Sequence, residues 1–351
     1  MRVKRLTVLQ STLLDIVRIV AAWMVLLGHG FSLAGITPLK NNEHFLYIQQ
    51  AGVVIFLILS GFLTTYSLNI KNADHKYTFR EYVKQRAVRV YSAYIPALLF
   101  ILLLDGINIV FFSDSYPYQE GFNAFNFIGN ILMLQSTPFV LGHDIVFGSG
   151  RPLWTLSIEW WNYMAFGFIF LIIVNRLRIT YKRLGIAMIL LVPPLMGTAG
   201  IAGKPDATLC FLLGSLAYFI YDCIEVKFEN CLIILNVLLM VGYGLAFRDS
   251  YNKLFYFMVF SLLTLILAKG ETNKGESRKS KVISFTAKYT YMLYLTHYSV
   301  WVFLGNFQVS SIVKFFLGVT LSNIVAIGMY LWLEKPLFSL LKRITFTRSM
   351  L

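Results

Sequence analysis

The chain has 351 residues, of which 57% are hydrophobic, 16% aromatic and only 14% charged. Soluble domains carry charge on about a quarter of their residues, so this composition, with a mean hydropathy of +0.66, excludes a soluble globular protein and points to a polytopic membrane protein. The net charge of +14 would suit a nucleic-acid binder, but its distribution along the chain excludes that partner.

MRVKRL opens the chain as a basic leader. The apolar run behind it is a full span with no small-residue cleavage site, so no cleaved signal peptide is expected. That run, LLDIVRIVAAWMVLLGHGFSLAG from Leu13 to Gly35, contains Asp15, Arg18 and His29. Ionisable groups inside a span cost free energy and usually mark a pathway or a reacting site. His29 follows Arg18 by eleven residues, roughly 16 Å along a helix axis. One helix therefore carries a cation near one face and a titratable imidazole beyond the midplane.

Spans are predicted over 14–34, 50–70, 88–112, 153–174, 183–200, 206–222, 231–247, 253–268, 286–306 and 311–333, on a requirement of about 20 apolar residues. The fold class is thus all-α, a transmembrane bundle of about ten spans forming a single domain over 1–351 with no separate soluble domain. Between the third and fourth spans, the polar stretch Ser113–Arg151 holds a shorter apolar run, Phe125–Leu141, which reads as a re-entrant or interfacial helix. With the N-terminus inside, 24 of the 31 Lys and Arg fall on cytoplasmic segments; six (Lys40, Arg151, Lys204, Arg248, Lys253 and Lys314) fall opposite, and Arg18 lies within a span. The positive-inside rule explains this basicity and puts both termini in the cytoplasm. Cys210, Cys223 and Cys231 suggest neither a disulfide framework nor a metal site. GETNKGESRKSK at Gly270–Lys281 reads as a flexible cytoplasmic loop.

Depth then relates the unusual residues. His29 lies roughly 20 Å up span one, and Glu159, in RPLWTLSIEWWNYM, some 9 Å below the opposite end of span four. In a hydrocarbon core of about 30 Å these heights match. A His–carboxylate contact would relieve the burial cost of both and raise the basicity of the imidazole, as a general base requires. The alternative is a satisfied polar pair that only joins two helices. Arg86 and Arg89, three apart in VKQRAVRVYSAY, share one helix face. With Arg18 they could form a cationic pocket for phosphate oxygens, or act as plain topological anchors. Ser60-Gly61 and His297 in YTYMLYLTHY both fall near mid-membrane. The first suits close helix approach, and the second is either a further catalytic or acceptor-positioning group or a helix-joining polar residue. Tyrosines and tryptophans in WNYM and around Tyr289–Tyr298 could stack on sugar rings or serve as interfacial anchors.

These motifs, in this order, resemble the membrane-bound acyltransferase type 3 family. Arg18 and His29 match its basic-residue, ten-residue gap, histidine motif; SGFL at Ser60–Leu63 its second-span signature; Arg86 and Arg89 its paired arginines. LWTLSIEWWNYM resembles its Trp-x-Leu-x-x-Glu element through Trp154 and Glu159, YLTH matches a late-span motif ending in His297, and LEKP at Leu333–Pro336 resembles the terminal one. Ser92 stands where a proline is common, and Asn162 where an aromatic is usual; either could alter acceptor preference or helix geometry. The resemblance implies an integral membrane O-acyltransferase in a bacterial cytoplasmic membrane, without the esterase-like domain some relatives carry. It implies acetyl-coenzyme A as cytoplasmic donor, a surface or lipid-linked carbohydrate hydroxyl as acceptor, and no permanently bound cofactor. His29 and Glu159 would be catalytic, with His29 either a general base or an acyl carrier. Arg18, Arg86 and Arg89 would hold the coenzyme phosphates, and Ser60, Trp154 and His297 would bind substrate. A multi-span carrier or flippase for a lipid-linked glycan is the alternative.

Overall fold

The computed structural model describes residues 5–36, 48–135, 145–198, 206–223, 258–264 and 280–347, which are helical with no strand among them. The elements are α1 (Val8–Leu33), α2 (Ile48–Lys71), α3 (Phe79–Phe112), α4 (Ala124–Ile131), α5 (Trp154–Val174), α6 (Tyr181–Thr198), α7 (Ala207–Cys223), α8 (Lys281–Gly305), α9 (Ser311–Met329) and α10 (Lys335–Thr347). Five segments among the described residues are long and apolar enough to cross a membrane: Val8–Leu33, Ile48–Lys71, Phe79–Ser115, Arg151–Val174 and Ser311–Phe346. The expected span 231–247 lies outside the described residues. Of 253–268 only 258–264 is described, and it is helical.

The helices begin and end where local chemistry dictates. α3 starts nine residues before the apolar stretch predicted at 88–112, because Thr78 and Glu81 close a capping box. The Thr78 side chain accepts from the Glu81 backbone N–H, and Glu81 accepts from the Thr78 N–H at 2.9 Å. Two of the orphan donors at the helix start are thereby satisfied. α9 does not end at 333. It passes through a π-turn at Tyr330–Glu334 into α10. The turn lies just before Pro336, which has no N–H to donate and whose ring crowds the preceding turn, and its wider loop relieves that crowding.

α4 is only eight residues long, about 12 Å, and so cannot cross a bilayer. It is pinned by side-chain amides instead. Asn126 Nδ2 donates to the carbonyls of Gly121 and Val146, and Asn130 Nδ2 donates to Ile145 O at 2.6 Å. Tyr94 and Tyr91 of α3 donate to Asn130 O and Ile131 O at 3.0 and 2.9 Å. Phe125, Ile128 and Leu132 are left exposed on one face. Ala124–Ile131 is therefore a short helix with a polar anchored side and an apolar exposed one, and the rest of the predicted run, 136–141, lies outside the described residues.

The residues divide into two compact units. The first, Met1–Val25, Leu39–Asp74 and Ala202–Ala287, is organised by α2 packed along α7. Contact there is backbone to backbone: a Cβ on Gly61 would lie 1.9 Å from Phe211 O, and one on Gly214 would lie 1.8 Å from Ile58 O. Small residues permit this approach, which gains dispersion contacts in a setting without a hydrophobic drive. Tyr66 and Tyr221 bind the start of the chain, taking the Leu6 N–H at 3.1 Å and donating to Arg5 O at 3.3 Å.

The second unit comprises Leu26–Pro38, His75–Ile201 and Lys288–Leu351. In it α3 packs against α5, the π-turn and α10, and α5 packs against α6. Trp301 of α8 is buried and fills the space that side chains at Gly30 and Gly318 would occupy: a Cβ would meet its ring at 2.6 Å from Gly30 and 2.1 Å from Gly318. This wedge fixes how the end of α1 faces α8.

Candidate active site

The wedge places two histidines together. Trp301 and His297 are four residues apart and share a face of α8, just as Gly30 and His29 are adjacent on α1. With Trp301 seated against Gly30, His29 Nδ1 lies 2.9 Å from His297 Nε2, and the rings stack with centroids 5.1 Å apart. His297 is fully buried, and His29 is half-buried.

Hydrogen bonds then assign the protons. His297 Nδ1 lies 3.1 Å from Leu293 O and 2.9 Å from Tyr294 O. Carbonyl oxygens only accept, so Nδ1 of His297 carries the proton and, in the neutral ring, its Nε2 is an acceptor. His29 Nδ1 must then donate to it. The Nε2 of His29 is left with an unshared pair, as a base or nucleophile requires. Burial of both rings favours this neutral arrangement over two adjacent cations.

His29 was expected to pair with Glu159, and here the structure corrects the expectation: its partner is His297. Matched depth along two helices says nothing of rotation about their axes, and α5 turns Glu159 elsewhere. Glu159 is half-buried and accepts a short hydrogen bond from Tyr163, one turn along. The Arg86 guanidinium lies 4.7 Å from the Tyr163 ring centre and 5.5 Å from that of Tyr82, and Glu159 acts electrostatically on Arg86. Tyr82 OH donates to Tyr163 O at 3.0 Å. Arg86 and Glu159 thus belong to one aromatic-walled cluster between α3 and α5.

Arg89, one turn further, is exposed. It acts on Glu334, a buried carboxylate at the end of the π-turn whose Oε2 has no hydrogen-bond partner. Arg18 lies in the first unit, where it bridges Asp15 at 3.0 Å. Ser60 is in the same unit, next to Gly61, whose backbone meets Phe211 of α7. Trp154 opens α5 and is half-buried. The next residue, Thr155, lies 2.5 Å from Tyr294 OH, Oγ1 to hydroxyl, joining the start of α5 to α8 one turn before His297.

Further side chains lie around these groups, of which the sequence reading had raised only the tyrosines of WNYM and of Tyr289–Tyr298. Asp105 is a carboxylate inside the third apolar run, the same signal that singled out His29, and it is fully buried. It accepts from Ser149 N and Ser149 Oγ, both at 2.7 Å, and Ser149 Oγ is 2.6 Å from Ser299, two residues past His297. Tyr298 stands edge-on to His29 with centroids 5.2 Å apart. Tyr163 and Glu334 carried no signal beyond their place in WNYM and LEKP, and Tyr82 carried none.

A family model described as an acyltransferase domain, of the acyltransferase 3 type, matches residues 12–331. The O-acetyl transferase of Shigella phage Sf6 is 30% identical over 163 residues, which cover 45% of this chain and 45% of the phage protein. The O-acetyltransferase OatA of Staphylococcus aureus (strain NCTC 8325 / PS 47) is 21% identical over 340 residues, 88% of this chain and 55% of that protein. OatA of strain MRSA252 is 22% identical over the same length. The chain spans about half the length of the curated relatives it matches. No solved structure matches it. With the histidine, arginine and Trp-x-Leu-x-x-Glu elements all inside the matched residues, the chain belongs to the acyltransferase type 3 family.

Proposed function

We propose that this protein moves an acetyl group from acetyl-coenzyme A to a hydroxyl of a surface or lipid-linked carbohydrate, within a bacterial cytoplasmic membrane that it crosses several times. The observation that carries the reading is the His29–His297 pair, with its proton pattern set by Leu293 O and Tyr294 O. A neutral imidazole held in one tautomer with a free ring nitrogen suits a general base for acyl transfer. The names of the relatives, O-acetyl transferase and O-acetyltransferase, support acetyl as the group and oxygen as the acceptor atom.

The chemistry follows from the geometry. His29 Nε2 takes the proton of the acceptor hydroxyl as that oxygen attacks the thioester carbonyl. The new C–O bond forms, the C–S bond breaks, and the departing coenzyme thiolate recovers the proton from the His29 imidazolium. While protonated, His29 keeps its Nδ1–H bond to His297 Nε2, which spreads the transient charge. His297 is thus a positioning residue, doing with a neutral ring what a carboxylate does in other triads. Arg89, exposed on the face it shares with Arg86, offers a guanidinium fork to the coenzyme phosphates. Glu159 holds the Arg86 cluster in shape; by family position alone, Trp154 and Ser60 are assigned to substrate contact and Arg18 to the donor.

The test is acetyl-coenzyme A-dependent acetylation of glycans by purified protein in lipid vesicles. Transfer with intersecting initial-velocity patterns is expected, as direct attack requires both substrates bound together. Arg89→Ala should weaken the donor by about 10–150-fold, the equivalent of 1.5–3 kcal/mol for a charge-assisted hydrogen bond. Parallel velocity patterns would make His29 an acyl carrier. No acetyl movement onto any glycan, with the donor bound, would defeat the proposal.

A further inference from the structure

Within the second unit a chain of contacts between polar and aromatic groups leads from His29. The Tyr298 ring is 5.2 Å from His29 and 6.2 Å from Tyr118, and the two phenol oxygens are 2.8 Å apart. The Arg151 guanidinium lies 5.8 Å from the Tyr118 ring. Exposure rises along the same row: His297 is buried, His29, Tyr298 and Tyr118 are half-buried, and Arg151 is exposed. The row links an exposed cation to the half-buried ring of His29.

The row is held in place from beneath. Gly148 has φ +47, and a Cβ there would lie 2.1 Å from Asp105 Oδ2, so the loop can close onto that carboxylate only with glycine. Ser149, with both its donors on Asp105, ties the loop to α3 and, through Ser299, to α8. Arg151 follows two residues later, at the start of a 3₁₀ turn. Tyr116 is buried and packs edge-on to Tyr118 at 5.9 Å. A preorganised arrangement like this is a feature of binding sites built on rigid elements.

The charge is the second observation. Arg151 has no carboxylate at ion-pair distance among the described residues; its described contact is the Tyr118 ring. It is also one of the six Lys and Arg that the charge distribution assigns to the non-cytoplasmic side, where the positive-inside rule gives a cation no anchoring role. A guanidinium presents a fork matched to the paired oxygens of a carboxylate or phosphate. Tyrosine rings offer a face for the apolar side of a sugar and a hydroxyl for its polar edge.

We infer that Arg151, Tyr118 and Tyr298 form the acceptor subsite, and that it takes an anionic oligosaccharide bearing a carboxylate or phosphate near the hydroxyl to be acylated. This rests on the acyltransferase reading above. The three ring-sized steps of 5.8, 6.2 and 5.2 Å from guanidinium to imidazole suit several linked sugars better than one.

Two measurements on the full-length protein separate this inference from the reading beneath it. Calorimetry without donor compares binding of a neutral gluco-oligosaccharide, a uronic-acid oligosaccharide of the same length and a phosphorylated one, to wild type, Arg151→Gln and Arg151→Lys. Wild type should prefer one of the charged probes by about 10–100-fold, the range for a charge-assisted contact. Arg151→Gln should bring that ratio close to one without changing affinity for the neutral probe. Arg151→Lys should keep more of the ratio if the charge is a phosphate than if it is a carboxylate gripped by both nitrogens. Arg151 is exposed, so neither change threatens folding; Tyr118→Phe, which removes only the hydroxyl contact, should weaken all three probes alike. Equal binding of neutral and charged probes, or a preference that survives Arg151→Gln, overturns the inference. Transfer assays on the same probes speak to the catalytic reading: charge-selective binding without acetylation removes the acyltransferase role and leaves the subsite standing, whereas acetylation with equal kcat/KM on neutral and charged probes removes the subsite's selectivity and leaves the catalytic role.

Discussion

Replacing His29 by alanine is expected to leave the protein in the membrane and to lower acyl transfer by about 10²–10⁴-fold, the usual cost of removing a general base. Insertion survives because the change exchanges a buried imidazole for a small apolar group, which lowers the cost of the span. Transfer fails because Nε2 of His29 is the nitrogen that the tautomer argument leaves with an unshared pair, His297 having its Nδ1 committed to Leu293 O and Tyr294 O. Glycan acetylation at matched membrane expression is the readout. Near-normal acetylation would transfer the role of base to His297.

The second large effect concerns stability. Arg86→Ala removes a guanidinium held over two rings, 4.7 Å from Tyr163 and 5.5 Å from Tyr82. Each cation–π contact is worth about 0.5–2 kcal/mol depending on desolvation, so a loss of about 1–4 kcal/mol is expected. Glu159 is also left without the opposite charge that acts across the cluster. Thermal unfolding in detergent should show the loss, and Arg86→Ala combined with Glu159→Gln should lose less than the two single changes added together. Strict additivity would mean that Arg86 and Glu159 are not energetically coupled.

How far the sequence was informative depends on the kind of information each feature needs. Helix positions were legible because apolar runs mark them: α1, α2, α5, α6 and α7 lie within a few residues of the expected spans. α3 was placed nine residues late because hydropathy reports the membrane boundary, whereas the helix boundary is set by the Thr78–Glu81 box. That box was readable as Thr-x-x-Glu. His29 and Arg18 stood out as ionisable groups where apolar residues belong, Arg86 and Arg89 as a pair on one helix face, and Asp105 gave the first signal without being taken up. The His29–His297 contact was not legible, since it depends on how α1 and α8 are rotated, which Trp301 decides by filling the gap over Gly30 and Gly318. A tryptophan and two glycines far apart in sequence announce no such contact. The same holds for Tyr118, whose place beside Tyr298 follows from a loop folded onto Asp105.

The central claim is that His297 sets the proton pattern of His29, and the transfer rate of His297→Ala against His297→Gln tests it most directly. Acetylation by purified wild type and both variants should be followed in lipid vesicles at saturating acetyl-coenzyme A. His297→Ala leaves the buried Nδ1–H of His29 without its acceptor, so the rate should fall by about 10²-fold or more as the imidazole loses its fixed tautomer. His297→Gln offers a carbonyl oxygen as acceptor in place of Nε2, so part of that rate should return. Equal, wild-type rates in both variants would contradict the account, because His29 would then be working without the partner that the structure gives it.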